Sequence, residues 1–281
     1  MIDLHVHSTC SDGQHSPADI IRLAADAGVK TLAITDHDSV GAVWACTKLA
    51  AEHDIDFLSG VELSVQGNRE LHILGYDFDC KNATLLSECE RFANERIKRM
   101  DRILGYLLEY GLELTIKDVQ NAAEGRMFFS RVHIAAAMHE KGYVSSIREA
   151  FDKYIGTSGF DKVERPKPSD EEGISLILGA GGVPVLAHPG LLKLDNSELE
   201  ELIRKLIGFG LMGMECYYSM HTDVQTKEYA NLAKKYGLLI TCGSDFHGEK
   251  IKPDIKIGIG TGRLTSFDNV KIAEQLRRAK R

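Results

Sequence analysis

An α/β barrel interrupted by a small helical insertion is the fold class that this sequence predicts, on three observations. Short apolar strands alternate with amphipathic helices up to about residue 90, and again from about residue 169 onward. Between those stretches, from about 85 to 154, helix signals occur without a convincing strand. Histidines and acids recur where the predicted strands end, as in His5-Val-His7 and Asp245-Phe-His247.

The elements follow in order. Residues 2–4 form a strand, and Ser16-Pro17 opens a helix that ends at Ala27-Gly28, with an N-cap followed by proline at the first helical position. Residues 31–34 form a strand closing on Asp36-His37, Ser39 caps a helix to about 52, Phe57-Leu58 leads to Glu62, and 72–74 is a further strand. The middle reads as helices over 85–110, 116–123, 130–141 and 146–153, punctuated by Gly111, Gly125 and Gly142. A connecting loop spans 156–168. The alternation then resumes: helix 169–180, strand 183–187, helix 197–209, strand 212–215, helix 223–236, strand 238–241 and helix 267–279. Such alternation predicts a parallel sheet closing into a barrel. The domain reading is a barrel from 1–88 and 166–281, with an all-helical insertion over 89–165.

Composition bounds the function. The chain has 281 residues, 43% hydrophobic and 27% charged, with ample length for a large core. A net charge of −7 argues against a surface built for long nucleic acid, which needs a basic face. The 6 cysteines are scattered without a C-x-x-C pair, which predicts reduced thiols. No leader-like segment precedes the first strand, and no apolar run reaches the ~18 residues of a membrane span. A soluble cytoplasmic protein is the expectation.

The candidate ligands stand out once residues are sorted by position. His5, His7, Asp12, Asp36, His37, Glu62, His188, Asp245 and His247 each follow a predicted strand, and His72 opens one. In an α/β barrel the C-terminal strand ends share one face. Residues at i and i+2 of a strand share a side, so His5/His7 and Asp245/His247 each aim two groups at one spot. Imidazole and carboxylate without thiolate suit Zn, Mn or Fe. One such histidine signifies little, but the joint set points to metal.

The motifs His5-Val-His7-Ser-x-x-Ser-Asp12-Gly, Thr35-Asp36-His37-Asp38, Gly60-Val61-Glu62, Leu71-His72-Ile73-Leu74-Gly75, Ala187-His188-Pro189 and Gly243-Ser244-Asp245-Phe246-His247-Gly248 resemble, in order along the chain, the PHP (polymerase and histidinol phosphatase) family. The resemblance implies a distorted (β/α)7 TIM-like barrel with a trinuclear centre. It is closest to the branch of small phosphoesterases acting on nucleoside monophosphates and 3',5'-bisphosphates. It implies one site of His5, His7, Glu62 and Asp245, a second of Glu62, His72 and His188 with Glu62 bridging, and a third of Asp12, His37 and His247. Asp12 stands where some relatives have His. Asp36 is expected to orient a ligand imidazole from outside. Three divalent ions against Asp12, Glu62 and Asp245 leave a net charge of about +3, which attracts a phosphate dianion. A metal-bridging hydroxide is the expected nucleophile.

On the substrate side, Phe129-Ser130-Arg131-Val-His133 resembles the Arg-x-His of that branch, which implies that Arg131 and His133 hold phosphate. His221 follows a strand and is a candidate to bind a substrate oxygen or protonate the leaving group. Tyr217 and Tyr218 are read mainly as packing, Lys162 and Arg165 mainly as a solvated loop, and Gly258–Gly262 as closing the last strand rather than as a phosphate loop. Cys10, between His7 and Asp12, has no assigned role. The resulting expectation is a metal-dependent phosphomonoesterase with three divalent ions (Mn, Fe or Zn) acting on a small nucleotide such as AMP or a 3',5'-bisphosphate. The alternatives are a histidinol-phosphate phosphatase, a short-RNA 5'-3' exonuclease, and a non-catalytic metal-stabilised module.

Overall fold

The computed structural model describes residues 1–67, 71–123, 131–163 and 165–280, except the side chains of 161 and 162. The chain divides into two compact units, Met1–Cys89 with Lys167–Arg281, and Glu90–Pro166.

The first unit is a seven-stranded sheet in the order β1-β2-β3-β4-β5-β6-β7, nearly closed into a barrel. The strands are β1 (Ile2–Val6), β2 (Thr31–Ile34), β3 (Asp56–Ser64), β4 (His72–Tyr76), β5 (Val183–Leu186), β6 (Gly213–Tyr218) and β7 (Leu239–Gly243). Closure is made just beyond β7, where Asp245 N donates to His5 O at 2.7 Å and His7 N to Phe246 O at 2.9 Å. Asp3 reinforces that seam: its buried carboxylate accepts from Ser244 N at 2.8 Å and Gly258 N at 2.7 Å. The backbone of Gly258 is thus spent on the barrel seam.

The helices of this unit are α1 (Pro17–Asp26), α2 (Gly41–Glu52), the start of α3 (Ala83–Glu109), then α7 (Asp170–Gly179), α8 (Asn196–Phe209), α9 (Asp223–Lys235) and α10 (Ile272–Ala279). Their starts follow local chemistry. Ser16 accepts from Asp19 N ahead of Pro17, and α7, α8 and α9 each open with a reciprocal capping box, Ser169/Glu172, Asp195/Glu198 and Thr222/Gln225. The α2 helix lacks a side-chain cap; Ser39 Oγ only accepts from Gly41 N. The last helix is shorter than the pattern predicts, because residues 267–269 are irregular and 270–271 form a turn before it.

The expected all-parallel sheet is corrected at β4, which pairs antiparallel with both β3 and β5. The cause is the short β3–β4 connection. Seven residues separate the two strands, fewer than the roughly dozen that a parallel crossover needs, so the next strand returns alongside its predecessor. The β3 strand is also longer than predicted, and Glu62 lies inside it. Its first half pairs with β2 and its second half with β4. Gly60 marks the changeover: a Cβ there would lie 2.5 Å from the Ile34 carbonyl oxygen, so only glycine permits this approach.

The second unit holds the rest of α3 with α4 (Ile116–Ala122), α5 (Arg131–Glu140) and α6 (Ile147–Ala150), the last continuing into a π turn at Phe151–Ile155. These elements share a core that includes Met100, Ile103, Leu107, Val119, Ile134, Met138 and Phe160. Arg165 is buried, against the solvated loop expected from sequence, and the side chain of Lys162 lies outside the described residues.

Candidate metal centre

The reversal of β4 brings the candidate ligands together. Because β4 runs against its neighbours, the start of that strand lies on the rim where β3 ends, and His72 pairs in register with Ser64. His72 thereby joins residues contributed by the C-terminal ends of β1, β2, β5 and β7.

Glu62 is the hub. Its Oε1 lies 2.8 Å from both His72 Nδ1 and His188 Nε2. Its Oε2 lies 3.2 Å from His5 Nε2, 3.2 Å from His7 Nε2 and 3.1 Å from His37 Nδ1. Both carboxylate oxygens therefore face imidazoles, on opposite sides. Asp245 is arranged differently. Its Oδ1 turns inward, 3.2 Å from His7 Nε2 and 3.7 Å from His5 Nε2, while its Oδ2 accepts from Tyr218 Oη at 2.8 Å and Lys252 Nζ at 2.6 Å. One oxygen of Asp245 is left for the centre, against two of Glu62.

Asp12 anchors the outer side. Its oxygens lie 3.4 Å from His247 Nε2, 3.6 Å from His7 Nδ1 and 3.8 Å from His37 Nε2. Donor atoms converge in four groups: His7, Asp12, His37 and His247; His5, His7 and Asp245; His5, Glu62 and His188; and His37, Glu62 and His72. His7 and His37 stand between groups, each presenting both ring nitrogens to carboxylates.

The donor set fits metal ions better than it fits itself. His5 Nε2 and His7 Nε2 face each other at 3.1 Å, with carboxylate oxygens around them. His37 Nδ1 is only 3.1 Å from Glu62 Oε2, yet it lacks hydrogen-bond geometry and is a buried nitrogen without a partner. Bonds of about 2.1 Å place neighbouring ligand atoms about 3.0 Å apart in an octahedron and about 3.4 Å in a tetrahedron. The separations of His5 Nε2 from His7 Nε2 (3.1 Å), of Glu62 Oε2 from His5, His7 and His37 (3.1–3.2 Å) and of Asp245 Oδ1 from His7 (3.2 Å) fall in that range. A cation between them would relieve the facing lone pairs.

Charge distribution agrees. Burial works against the charge of Glu62, but His37, His5, His72 and His188 hold its carboxyl well below the usual range. Burial likewise opposes ionisation of Asp245 and Asp12. Lys252, His247 and His5 overcome it at Asp245, and His247, His37 and His7 at Asp12. Burial also opposes a charged His7, yet Asp245, Glu62 and Asp12 raise it to about 9. His37, facing the same acids, is pushed by burial down to about 3, with His7 and His72 adding repulsion. The cluster thus calls for positive charge that its imidazoles cannot all carry as protons.

Exposure marks the open side. The side chains of Asp12, His37 and His72 are 25%, 16% and 12% exposed, whereas those of His5, His7 and Glu62 are at most 1%. Asp12, His37 and His72 therefore form the lip of the cluster.

Around the donors stand residues that sequence reasoning passed over. Glu215 Oε1 lies 3.0 Å from His5 Nδ1, and its Oε2 accepts from His188 N at 2.8 Å. The strand-end rule that selected the other acids also covers Glu215, which closes its predicted strand. Tyr218, read as packing, holds Asp245; Lys252, in a loop, carried no signal. Asp36 differs from expectation: it accepts from Ser8 N at 2.8 Å, Ser8 Oγ at 2.6 Å and Ser11 Oγ at 2.5 Å. It fixes the loop after β1, and its hydrogen-bonded link toward an imidazole runs through Ser11, whose Oγ is 3.5 Å from His7 Nδ1.

His221 is buried, with Nδ1 2.9 Å from Cys216 O and Nε2 accepting from Gly190 N at 3.1 Å. Both ring nitrogens are committed to backbone, and burial lowers its pKa. Arg131 and His133 lie in the first turn of α5, in the helical unit, with the Arg131 guanidinium 5.9 Å from the Phe151 ring. Phe129 and Ser130 lie outside the described residues.

Residues 3–208 match the family model described as the PHP domain. The chain belongs to the PHP family. It is 32% identical over 247 residues to a 3',5'-nucleoside bisphosphate phosphatase of Chromobacterium violaceum, covering 88% of this chain and 87% of that protein. It is 31% identical over 246 residues to a 5'-3' exoribonuclease of Haemophilus influenzae, covering 87% and 89%. A Bifidobacterium adolescentis structure described as a metal-dependent phosphoesterase superposes with a TM-score of 0.79 at 27% identity, covering 98% of this chain and 94% of that one. This PHP protein is a metal-dependent phosphoesterase, a hydrolase. Among its described residues, no helix is long and apolar enough to cross a membrane.

Proposed function

We propose that this PHP protein is a phosphomonoesterase of small nucleotides, such as AMP or a 3',5'-bisphosphate, working with about three divalent ions. The observation that carries the reading is Glu62, whose two oxygens each face imidazoles from different strands. His5, His7, Glu62 and Asp245 would hold one ion. Glu62, His72 and His188 would hold a second, and Asp12, His37 and His247 a third, with His7 and His37 close enough to share. Mn, Fe and Zn all accept this donor set. Such ions, when bound, supply an activated water and neutralise charge on the phosphoryl and leaving oxygens.

The protein's own residues then have distinct tasks. Glu62 would hold two ions in fixed relation, while Tyr218 and Lys252 keep Asp245 to one. Asp36 holds the Ser8–Ser11 loop so that Asp12 faces the lip. On the strength of the Arg-x-His motif we assign Arg131 and His133 to substrate phosphate, and the helical unit to capping the substrate. We assign His221 to fixing the turn after His188 rather than to proton transfer, because both its nitrogens are occupied. A cytoplasmic location is part of the same reading.

A phosphatase screen with Mn(II) tests the proposal, covering AMP, 3',5'-bisphosphates, histidinol phosphate and short 5'-phosphorylated RNA. Release of phosphate from nucleotides at the highest kcat/KM supports it. A second reading, the short-RNA exonuclease, is favoured by the Haemophilus relative and wins if RNA is consumed stepwise from its 5' end in preference to mononucleotides.

A further inference from the structure

Glu215 occupies a costly position. It is fully buried on β6, where an apolar residue would fill the space without desolvating a carboxylate. Its two oxygens serve different strands: Oε1 meets the ring of His5 at the end of β1, and Oε2 accepts the backbone N–H of His188 after β5. A second residue makes room for this. A Cβ at Gly243 on β7 would lie 2.5 Å from Glu215 Oε1 and 2.1 Å from His5 Cβ. Two strands are thus shaped around one His–carboxylate contact.

The two recipients need it for different reasons. For His5, a carboxylate on Nδ1 sets the proton there and leaves the Nε2 lone pair facing His7 and Glu62. For His188, ring Nδ1 has no hydrogen-bond partner among the described residues, so no hydrogen bond at that nitrogen orients the ring. Its backbone has φ 23° and ψ 61°, an unfavourable conformation for a residue with a side chain. Glu215 Oε2 braces the turn at its first residue by accepting the His188 N–H, while His221 braces it two residues on by accepting from Gly190 N.

We propose that Glu215 is a positioning residue for two ion sites at once, fixing the His5 tautomer and the His188 turn together. This rests on the metal reading above. In Glu215→Gln the side-chain carbonyl can accept from only one of the two donors, and the amide opposes the other.

The test is Mn(II) release in a chelator competition, with far-UV and thermal controls for folding. In E215Q at least two ions are expected to leave together at about 10- to 100-fold weaker affinity, while an ion at Asp12, His37 and His247 is retained as in wild type. Wild-type affinity for every ion in E215Q, or weakening of one ion alone, overturns the inference while leaving the metal reading intact. Wild-type protein that binds no Mn(II) overturns both. A second measurement needs no variant: in ¹⁵N-histidine-labelled, Zn(II)-loaded wild-type protein, His5 is expected to be protonated at Nδ1 and unprotonated at Nε2. A proton at Nε2 overturns the assignment even if E215Q does not fold.

Discussion

His72 Nδ1 lies 2.8 Å from Glu62 Oε1, although His72 begins its strand and Glu62 lies near the end of its own. The antiparallel return of β4 makes the contact possible, and it gives Glu62 a partner on the side away from His5 and His7. The barrel unit's chemistry therefore turns on a single carboxylate met by five imidazoles from four strands or their ends.

Replacing that carboxylate by its amide removes the charge while keeping the shape. Glu62→Gln is expected to lower phosphatase activity more than about 100-fold, beyond what loss of an outer partner of a ligand causes, and to lower bound metal by more than one ion. Elemental analysis beside the assay checks this. Loss of a single ion would deny Glu62 its bridging role.

The metal-free protein should carry an alkaline weakness. Folded His7 holds its proton up to about 9, against an ordinary value of 6.5. A raised imidazole stabilises the fold below 6.5, and that contribution is lost as pH climbs through about 9. Chelated protein is expected to lose on the order of 1–3 kcal/mol over that interval, read as a falling Tm. A bound divalent ion replaces the proton, so Mn-loaded protein should hold its Tm across the same range. Parallel profiles would contradict the assignment of His7.

Much of this was readable in the sequence. Strand-end placement picked out His5, His7, Asp12, Asp36, His37, Glu62, His188, Asp245 and His247 together, and the family resemblance separated Asp36 from the donors. The reversed strand was not readable, because apolar patterning reports that a segment is a strand and says nothing of its direction. His72, which opens its strand, shares the rim with residues that follow theirs because β4 runs antiparallel to its neighbours. Lys252 reaches Asp245 from a loop whose path depends on tertiary packing. His221 followed the same strand-end rule as the donors, yet its two nitrogens went to Cys216 and Gly190 backbone, a distinction that only coordinates supply.

Asp245 depends on its outer oxygen. Tyr218→Phe leaves a buried carboxylate oxygen short of one donor, expected to cost about 1–3 kcal/mol in stability and about tenfold in affinity for the ion at Asp245. Denaturant titration and metal competition measure the two separately. An unchanged metal affinity would mean that Lys252 suffices to orient Asp245.

Gly60 is a purely steric requirement. Its Cβ would meet the Ile34 carbonyl oxygen at 2.5 Å, and backbone cannot yield as a side-chain end can. Gly60→Ala is expected to destabilise the fold by about 1–3 kcal/mol and to displace Glu62, two residues on. Thermal denaturation checks the first effect and metal content the second; wild-type values for both would remove Gly60 from the account.

The Glu62-centred donors are expected to hold a cluster of ions. Elemental analysis of protein expressed with Mn supplementation and stripped of loosely bound metal tests it most directly. About three metal ions per chain is the predicted result, and one or fewer would contradict it.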